Sequence, residues 1–406
     1  MHLGSALYMR LLYVSDHRFI KSKSGEIYTT GQMSEKYFNR FKGYFKFVTV
    51  TGICEEENEN NKNKMVEKVN TNSAFVKFHL IESKGTVLGK IIAIRNIKKE
   101  YKQLIKHHDR VATKAPSLII RFVSKIACKH QVPYLIEMVG CPWDALWNHG
   151  LKGKIIAPFV RHTVKKSLET APYVVYVTNY FLQKRYPTNG IHTNCSNVSL
   201  TNFSDSALDM RLRKQNSSDL NKKTIIGTTG AINVKYKGQQ YVIEALGALK
   251  KEGFVNFEYQ IVGGGDKSYL SSIAEHNGVK NQVKFLGSIP HAQIHDWLDK
   301  LDVYAQPSVT EGLPRSLIEA MSRGLPAIGS NVGGIPELLD EECIFNKKSI
   351  NAIKKLLIDM RGNKLQYYAK RNYNEAKKYD KLLIEERRNH ILEKFSSKKQ
   401  IGDKRE

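Results

Sequence analysis

The sequence predicts an α/β protein in which two doubly wound domains face each other across a cleft. From residue 224 onward, short apolar runs alternate strictly with amphipathic stretches, a pattern typical of a parallel sheet with helices on both faces. Similar apolar runs occur less regularly in the first half, and the polar stretch 205–223 separates the two halves. Ligands of such sheets bind at the carboxyl ends of the strands, so we expect the cleft to hold the functional site.

The first predicted domain spans residues 9–204. Its candidate strands are the apolar runs at residues 9–15, 45–51, 73–81, 132–140 and 173–178. Residues 1–8 carry only His2 as a source of positive charge and show no clear cleavage site, which makes a poor secretory signal. Because the first strand begins at Met9, we expect Met9 to be the initiator and the chain to stay in the cell.

The second predicted domain spans residues 224–365 and follows a linker at residues 205–223. Its strands are predicted at residues 224–228, 257–263, 282–287, 302–308 and 325–330, and its helices at residues 239–251, 267–277, 291–300, 315–323 and 336–340. Residues 366–406 are highly charged, with tyrosines and aliphatic residues at roughly helical spacing. We expect a helix there, followed by a tail. Whether this helix crosses back to the first domain is left open.

Composition excludes several classes of protein. The chain has 406 residues, of which 41% are hydrophobic and 25% charged, as in ordinary globular domains. No stretch approaches the roughly 18 apolar residues of a membrane span. The five cysteines are far apart and include no C-x-x-C pair, which argues against a disulfide framework or a zinc site and favours a reducing cytoplasm.

The positive charge of the chain predicts an anionic partner. The net charge is +25, and residues 84–129 contain 12 basic residues against two acidic ones. Residues 151–168 interleave apolar and basic side chains, as a helix does at an anionic membrane surface; a core-facing helix with a solvated basic face is the alternative. No recognition motif for nucleic acid accompanies the charge, so we expect no nucleic-acid partner.

One motif, at residues 307–339, predicts an anion-binding site. Glu311 ends a strand-to-helix loop, and the helix that follows would present main-chain amides and the positive end of its dipole to a diphosphate. The donor-binding residues predicted in this loop are Gly312, Leu313, Pro314, Arg315 and Ser316. Glu319, about one turn into the helix, would face the same ligand. The alternative role of Glu319 is that of a solvated helix residue. The alternative role of Glu311 is that of a helix cap.

Other residues at strand ends complete the predicted site. Lys237 follows the first strand of the second domain, where its ammonium would neutralise a leaving diphosphate; a solvated lysine is the alternative. Gly264 lies in the glycine-rich turn at 261–266, which would bring amides close to phosphate or sugar.

The second half resembles the family 4 retaining glycosyltransferases, of two-domain GT-B architecture with Rossmann-like domains. The resemblance rests on YKG, IVGGGD, VKFLGSIP, DVYAQPSVTEGLPRSLIEAM and GGIPELL in residues 224–345, and more loosely on EMVGCPWDAL in the first half, as in bacterial capsule and exopolysaccharide enzymes. It implies a nucleotide-diphosphate sugar bound mainly by the second domain, an acceptor bound mainly by the first, and no metal or other cofactor. It places Glu311 near the donor sugar, Glu319 on the ribose, Lys237 on the diphosphate and residues 285–290 beside the base.

The chain departs from the family pattern at two positions. Ala231 and Asn233 stand in the turn where the family has an arginine, so one diphosphate cation is missing or is supplied by Arg315; Asn233 is a candidate donor-binding residue. The family's histidine near the donor sugar is absent, and Glu137 or Asp144 is the candidate replacement. The alternatives are a buried structural acid for Glu137 and a helix cap for Asp144.

The predicted function is therefore retaining transfer of a hexose-type sugar to a glycan or polyprenyl-diphosphate-linked acceptor in bacterial surface polysaccharide synthesis. Glu311, Lys237 and Glu137 are the candidate catalytic residues. The predicted location is the cytoplasm, at the inner face of the membrane. A catalytically silent sugar-nucleotide-binding scaffold and a GT-B epimerase or phosphorylase are the alternatives.

Overall fold

A computed structural model describes residues 9–397 except 32, 60, 63–64, 66, 72, 83–97, 149, 199, 202, 217–222 and 361–363. The described chain forms two α/β domains, each built on its own largely parallel sheet. The predicted fold class is confirmed.

The sheet of the first domain has a parallel centre in the order β10-β9-β8-β7-β1-β4, and β4 also pairs with β2 and β6. Antiparallel pairing extends it from β2 to β3 and β5. Its strands are β1 Arg10–Val14, β2 Arg18–Lys21, β3 Ile27–Thr29, β4 Phe47–Glu56, β5 Glu67–Lys68, β6 Val76–Glu82, β7 Arg110–Ala115, β8 Tyr134–Met138, β9 Tyr173–Tyr176 and β10 Ile191–Asn194. The order reverses at β1, so a crevice opens there at the carboxyl ends of the strands.

Helices cover both faces of this sheet. They are α1 Glu35–Phe38, α2 at residues 98–106, α3 Ile119–Lys129, α4 Pro142–Trp147, α5 Leu151–Glu169 and α6 Phe181–Arg185. On one face, α3 and α5 bury Val123 and Val164 against the sheet. On the other face, Phe38 and Phe45 pack against strands that include β1 and β4. The central strands therefore have two buried faces, which agrees with their apolar sequences.

The second domain has six parallel strands in the order β13-β12-β11-β14-β15-β16. They are β11 Thr224–Thr229, β12 Phe257–Val262, β13 Val283–Gly287, β14 Val303–Gln306, β15 Ala327–Ser330 and β16 Ile344–Phe345. The helices are α7 Asp205–Asn216, α8 Gln239–Lys251, α9 Ser268–His276, α10 Ile294–Lys300, α11 Arg315–Met321 and α12 Ile350–Asp359. This order reverses at β11, which places the carboxyl ends of β11 and β14 beside a second crevice.

Several elements differ from the sequence prediction, among them the strands β2, β3, β5, β10 and β16, which were not predicted. Most of the predicted linker is the helix α7, in which the buried Arg211 donates to the carbonyl oxygens of Leu298 and Leu301. The predicted helix at residues 336–340 is only a 3₁₀ turn at Ile335–Glu337. The strand β7 was not predicted, because polar Arg110, Thr113 and Lys114 interrupt its apolar pattern.

The C-terminal segment forms two helices, α13 Leu365–Lys377 and α14 Lys381–Ser396. The first packs on the second domain, where Asn372 Nδ2 donates to the carbonyl oxygen of Leu325 at 3.0 Å. The second returns to the first domain, where Arg110 Nε donates to the carbonyl oxygen of Phe395 at 2.6 Å. The chain thus ties the two domains together, and none of its described helices is both long and apolar enough to cross a bilayer.

Candidate active site

An ion pair joins the two crevice strands of the second domain. Lys237 lies in a 3₁₀ turn after β11, Glu311 lies in the loop after β14, and Lys237 Nζ is 2.6 Å from Glu311 Oε1. The side chains are 23% and 13% exposed. Ser308 Oγ also donates to Glu311 Oε1 at 3.0 Å, so the carboxylate is held in one orientation by groups at the carboxyl end of β14.

Glycine allows the lysine turn to approach the neighbouring strand. Gly238 directly follows Lys237 and has φ of +78°, a left-handed conformation that residues with a Cβ seldom adopt. A Cβ there would also lie 1.9 Å from the carbonyl oxygen of Pro307. A larger residue would therefore push Lys237 away from Glu311.

The predicted glycine-rich turn lies beside the same crevice. Gly263 approaches Gly230 so closely that a Cβ would come within 2.0 Å of the Gly230 carbonyl oxygen. A Cβ on Gly264 would lie 3.0 Å from Ser288 Oγ, and a Cβ on Gly265 would lie 2.8 Å from the Asn233 side chain. The structure therefore brings the candidates Gly264 and Asn233 together with the end of β11.

The loop before α11 contacts the first domain. A Cβ on Gly312 would lie 2.4 Å from the carbonyl oxygen of Val139, and Leu313 packs against the hydrophobic cores of both domains. Pro314 precedes α11, whose first turn is not capped by any described side chain. Ser316 Oγ donates to Gln306 Oε1 at 3.4 Å. The first amides of α11 therefore have no side-chain acceptor in the described part of the chain, and they lie where the two domains meet.

Glu319 lies one turn into α11. Its carboxylate Oε1 is 3.7 Å from His291 Nε2, and its side chain is mostly buried. Burial raises the pKa of the Glu319 carboxyl, while His291 and Arg315 act in the opposite direction. A partly desolvated carboxylate at this position is suited to accept hydrogen bonds from hydroxyl groups.

Glu137, at the end of β8 in the first domain, is fully engaged by protein groups. Its carboxylate accepts hydrogen bonds from Tyr13 OH at 2.7 Å, from Tyr37 OH at 3.0 Å and from Arg40 Nη2 at 2.8–2.9 Å. Burial by itself raises the pKa of Glu137, but Arg40 and the tyrosine hydroxyls hold it below the ordinary glutamate value. This geometry favours the structural alternative for Glu137.

Asp144, the other candidate on the first domain, pairs with Arg185 Nη1 at 2.8 Å. Its main-chain N–H donates to Cys141 Sγ at 3.5 Å at the start of α4. Asp144 lines an interdomain cavity of about 380 Å³, together with residues of the second domain that include Gly333 and Lys347. The structure therefore places Asp144 in the cleft with one oxygen already bound to a cation.

Sequence reasoning missed two contributions to the cleft. Lys114 stands at the end of β7 beside Glu137, and it was counted only as part of a basic run because β7 had not been predicted. Glu337, near the end of the motif at 307–339, accepts hydrogen bonds from the main-chain N–H groups of Asn179 at 2.6 Å, of Tyr180 at 3.0 Å and of Phe181. Nothing in the sequence signals this contact between domains.

Cations and amides at the carboxyl ends of the second sheet can bind a diphosphate, and the carboxylates beside them can bind hydroxyl groups. In the part of the chain that the structure describes, no three His, Cys, Asp or Glu side chains form a group able to hold a metal ion. The five cysteines, all described, are unpaired. The two facing domains and the residues between them define a protein of the GT-B class.

Comparison with known sequences identifies the family. Residues 210–379 match the profile described as glycosyl transferases group 1. The chain is 31% identical over 376 residues to Protein CapJ of Staphylococcus aureus, and the match covers 91% of this chain and 90% of that protein. This chain therefore belongs to the group 1 glycosyltransferases, which confirms the resemblance found in the sequence.

Two further relatives match over a shorter region. The amylovoran biosynthesis glycosyltransferase AmsK of Erwinia amylovora is 39% identical over 111 residues, which cover 26% of this chain and 27% of AmsK. The putative colanic acid biosynthesis glycosyltransferase WcaL of Escherichia coli is 36% identical over 113 residues, which cover 26% of this chain and 28% of WcaL. The chain aligns with about a quarter of the length of each.

Solved structures share the two-domain fold. Sucrose-phosphate synthase of Thermosynechococcus elongatus superposes with a TM-score of 0.66 at 14% identity, covering 95% of this chain and 98% of that one. HepE of Anabaena in complex with UDP superposes with a TM-score of 0.63 at 17% identity, covering 95% and 100%. WaaG, a glycosyltransferase involved in lipopolysaccharide biosynthesis, has a TM-score of 0.60 at 16% identity, covering 94% and 99%.

Proposed function

We propose that this glycosyltransferase moves a hexose-type sugar, with retention of configuration, from a nucleotide-diphosphate donor to a glycan or polyprenyl-diphosphate-linked acceptor. The observation that carries the proposal is the Lys237–Glu311 pair beside the uncapped start of α11, at the carboxyl ends of the second sheet. HepE was solved with UDP-glucose, and AmsK and WcaL are named for polysaccharide biosynthesis. These names support a role in making bacterial surface polysaccharide.

The donor is proposed to lie along the carboxyl ends of β11 and β14. Lys237, Arg315 and the main-chain amides of Gly312, Leu313, Arg315 and Ser316 bind the diphosphate, because they combine cations with N–H donors. Glu319 accepts hydrogen bonds from the ribose hydroxyls. Glu311 accepts one from a sugar hydroxyl, and Gly264 with Asn233 lies beside the sugar or phosphate.

Transfer is proposed to take place on one face of the sugar. The acceptor hydroxyl attacks the anomeric carbon from the side on which the diphosphate leaves; the bond from that carbon to the diphosphate breaks, the new glycosidic bond forms, and a phosphate oxygen takes the hydroxyl proton. Glu311 already accepts from Lys237 and Ser308, which suits it to orient a hydroxyl rather than to form a covalent intermediate. Lys237 and Arg315 stabilise charge on the leaving group, and we propose that no metal is needed.

The acceptor is proposed to be reached at the inner face of the cytoplasmic membrane through α5. Leu151 and Ile155 are each 79% exposed and Phe159 is 61% exposed, on a helix whose opposite face is buried in the first domain. Exposed basic residues flank this apolar stripe, namely Lys152, Lys154, Arg161, Lys165 and Lys166. A helix with apolar residues that enter the membrane–water interface and with cations beside them is typical of proteins that bind anionic lipid.

Nucleotide binding in the presence of a chelator tests the donor proposal. UDP, GDP and ADP are compared for thermal stabilisation of the purified full chain, where a ligand at 100-fold over its Kd adds about 2.7 kcal/mol. The matching labelled nucleotide sugar is then supplied with membrane lipid extract, and the anomeric configuration of the product is read by NMR. Selective stabilisation and a retained product are expected.

Other outcomes would replace the proposal. Tight nucleotide binding with neither transfer nor slow donor hydrolysis would indicate a silent binding protein. An epimerised nucleotide sugar or phosphate-dependent cleavage of a glycan would indicate another reaction. Activity lost on chelation and restored by a divalent cation would overturn metal independence.

A further inference from the structure

Lys114 stands where the strand order of the first sheet reverses. β1 pairs with β4 on one side and with β7 on the other, and such a reversal opens a crevice at the carboxyl ends of the strands. Lys114 is the second-last residue of β7, is half-buried, and is in register with Glu137 of β8. Its Nζ lies 5.6 Å from the centre of the Tyr37 ring. The crevice of the acceptor-side domain therefore contains an ammonium group.

The charge of Lys114 has no partner of its own in the described part of the chain, where no hydrogen bond or ion pair reaches it. Glu137, the adjacent acid, is neutralised by Arg40 and accepts from two tyrosine hydroxyls as well. Asp16, at the end of β1, is exposed and accepts from Ser117 Oγ at 2.6 Å. The cluster of Arg40, Lys114 and Glu137 keeps one positive charge in excess.

A second cation approaches from the other domain. The loop at 311–313 lies against the end of β8, where Gly312 contacts Val139, and Arg315 follows at the start of α11. Burial lowers the pKa of Lys114, the charge of Glu137 acts in the opposite direction, and the charges of Arg40 and Arg315 add to the lowering. Arg315 is thus close enough for its charge to act on Lys114, and two such cations repel each other unless an anion lies between them.

We infer that the Lys114 ammonium binds phosphate oxygens of a substrate held between the two domains. This inference rests on the proposed transfer from a nucleotide sugar and adds a residue of the first domain to its machinery. Two substrates carry such oxygens, the diphosphate of the donor and the diphosphate of a lipid-linked acceptor. The chemistry of recognition is the same for both, so the experiment has one arm for each.

The test compares Lys114→Met and Lys114→Arg with wild type, with Lys125→Met on the exposed face of α3 as the matched control. The donor arm measures by calorimetry the Kd of the selected nucleoside diphosphate and of its nucleoside. The acceptor arm measures the Kd of farnesyl diphosphate and of farnesol. Lys114→Met is expected to weaken binding of a diphosphate about 10- to 100-fold, with binding of the uncharged partner unchanged. Lys114→Arg and Lys125→Met are expected to stay close to wild type.

The outcomes separate this inference from the proposed function. A loss confined to the donor arm or to the acceptor arm names the phosphate that Lys114 binds. Equal diphosphate affinity of Lys114→Met and wild type in both arms overturns the inference and leaves the proposed transfer intact. If Lys114→Met weakens nucleoside and diphosphate alike, the role is structural and the inference fails. A wild-type protein that binds no nucleoside diphosphate and transfers no sugar contradicts the proposed function itself. In that case the measurements with farnesyl diphosphate still decide whether Lys114 binds phosphate oxygens.

Discussion

Lys237 Nζ lies 2.6 Å from Glu311 Oε1 across the crevice between β11 and β14. Each charge is the other's main partner, so the site holds a neutral pair before any substrate is bound. A diphosphate would compete with Glu311 for the ammonium, and the carboxylate would then be available to a sugar hydroxyl. Donor binding and orientation of Glu311 are coupled through this contact.

Replacing Lys237 with alanine should lower kcat about 10²–10³-fold and raise the donor KM much less, because the ammonium acts most strongly on charge that develops as the diphosphate leaves. The measurement is steady-state transfer at varied donor concentration. Lys235→Ala is the matched control, since Lys235 lies exposed in the same turn. Equal losses in kcat and in donor affinity would assign Lys237 to ground-state binding alone.

Nucleotide affinity should fall on acidification at a pH above that of an ordinary glutamate. Burial raises the pKa of Glu319, so this carboxyl takes up its proton earlier than exposed acids as the pH decreases, and the protonated form is a poorer acceptor for ribose hydroxyls. Calorimetric titration with the preferred nucleotide from neutral pH downward measures the effect.

Glu319→Gln serves as the reference in that titration, since an amide does not titrate. Its affinity should be weaker at neutral pH and nearly constant over the same range. Glu275→Gln, near the C-terminal end of α9, should behave like wild type. A wild-type curve parallel to that of Glu319→Gln would contradict the assignment of Glu319 to the ribose.

Binding to phosphatidylglycerol vesicles should depend on the apolar stripe of α5. The double change Ile155→Ser and Phe159→Ser removes two side chains that are each worth about 1.5–3 kcal/mol when buried in an apolar phase. Partitioning measured by sedimentation should fall at least 10-fold. Since these residues are exposed in the structure, the thermal midpoint should not change.

Salt and lipid charge provide the controls for α5. Wild-type binding should weaken as salt is added, because the flanking lysines act through screened charges, and should be weak on neutral phosphatidylcholine. The double change Leu382→Ser and Leu383→Ser alters exposed apolar residues of α14 and should leave binding unchanged. Vesicle affinity unaffected by the α5 change would place the membrane contact elsewhere or remove it.

The Arg40–Glu137 pair should be important for stability of the first domain. Glu137→Gln leaves the Arg40 guanidinium buried without a counter-charge, and breaking such a pair costs about 3–5 kcal/mol. Urea unfolding at neutral pH, followed by tryptophan fluorescence, measures the loss. Glu100→Gln is the control and should change stability little, because Glu100 is partly exposed on α2 and pairs with the equally exposed His79.

The same pair gives a pH dependence with a defined sign. The folded-state pKa of Glu137 lies below its ordinary value, so its contribution is present above the unfolded-state pKa and is lost as the pH falls through the folded-state pKa. Wild-type stability should therefore approach that of Glu137→Gln in acid. A difference between the two proteins that stays constant down to low pH would show that Glu137 acts through packing and not through its charge.

The strands β14 and β15 of the second domain could be predicted because both of their faces are buried, so that each is a nearly continuous apolar run between turn residues. The same reasoning failed at β7. Its middle residues are buried, but Arg110 at one end bonds to carbonyl groups of the C-terminal segment and Lys114 at the other end faces the cleft. The roles of Arg110 and Lys114 depend on segments far away in the chain, so the sequence around β7 does not indicate them.

The sequence by itself determined the fold class, the family and the motif at 307–339, since periodicity, glycine turns and motif spacing are properties of contiguous segments. Only the tertiary structure decided which side chains meet. It placed Glu137 in a buried network, Lys114 beside Glu137, and Glu337 on the main chain of the other domain. These contacts join residues tens to hundreds of positions apart, and their geometry is set by the packing of the two sheets and not by any local propensity.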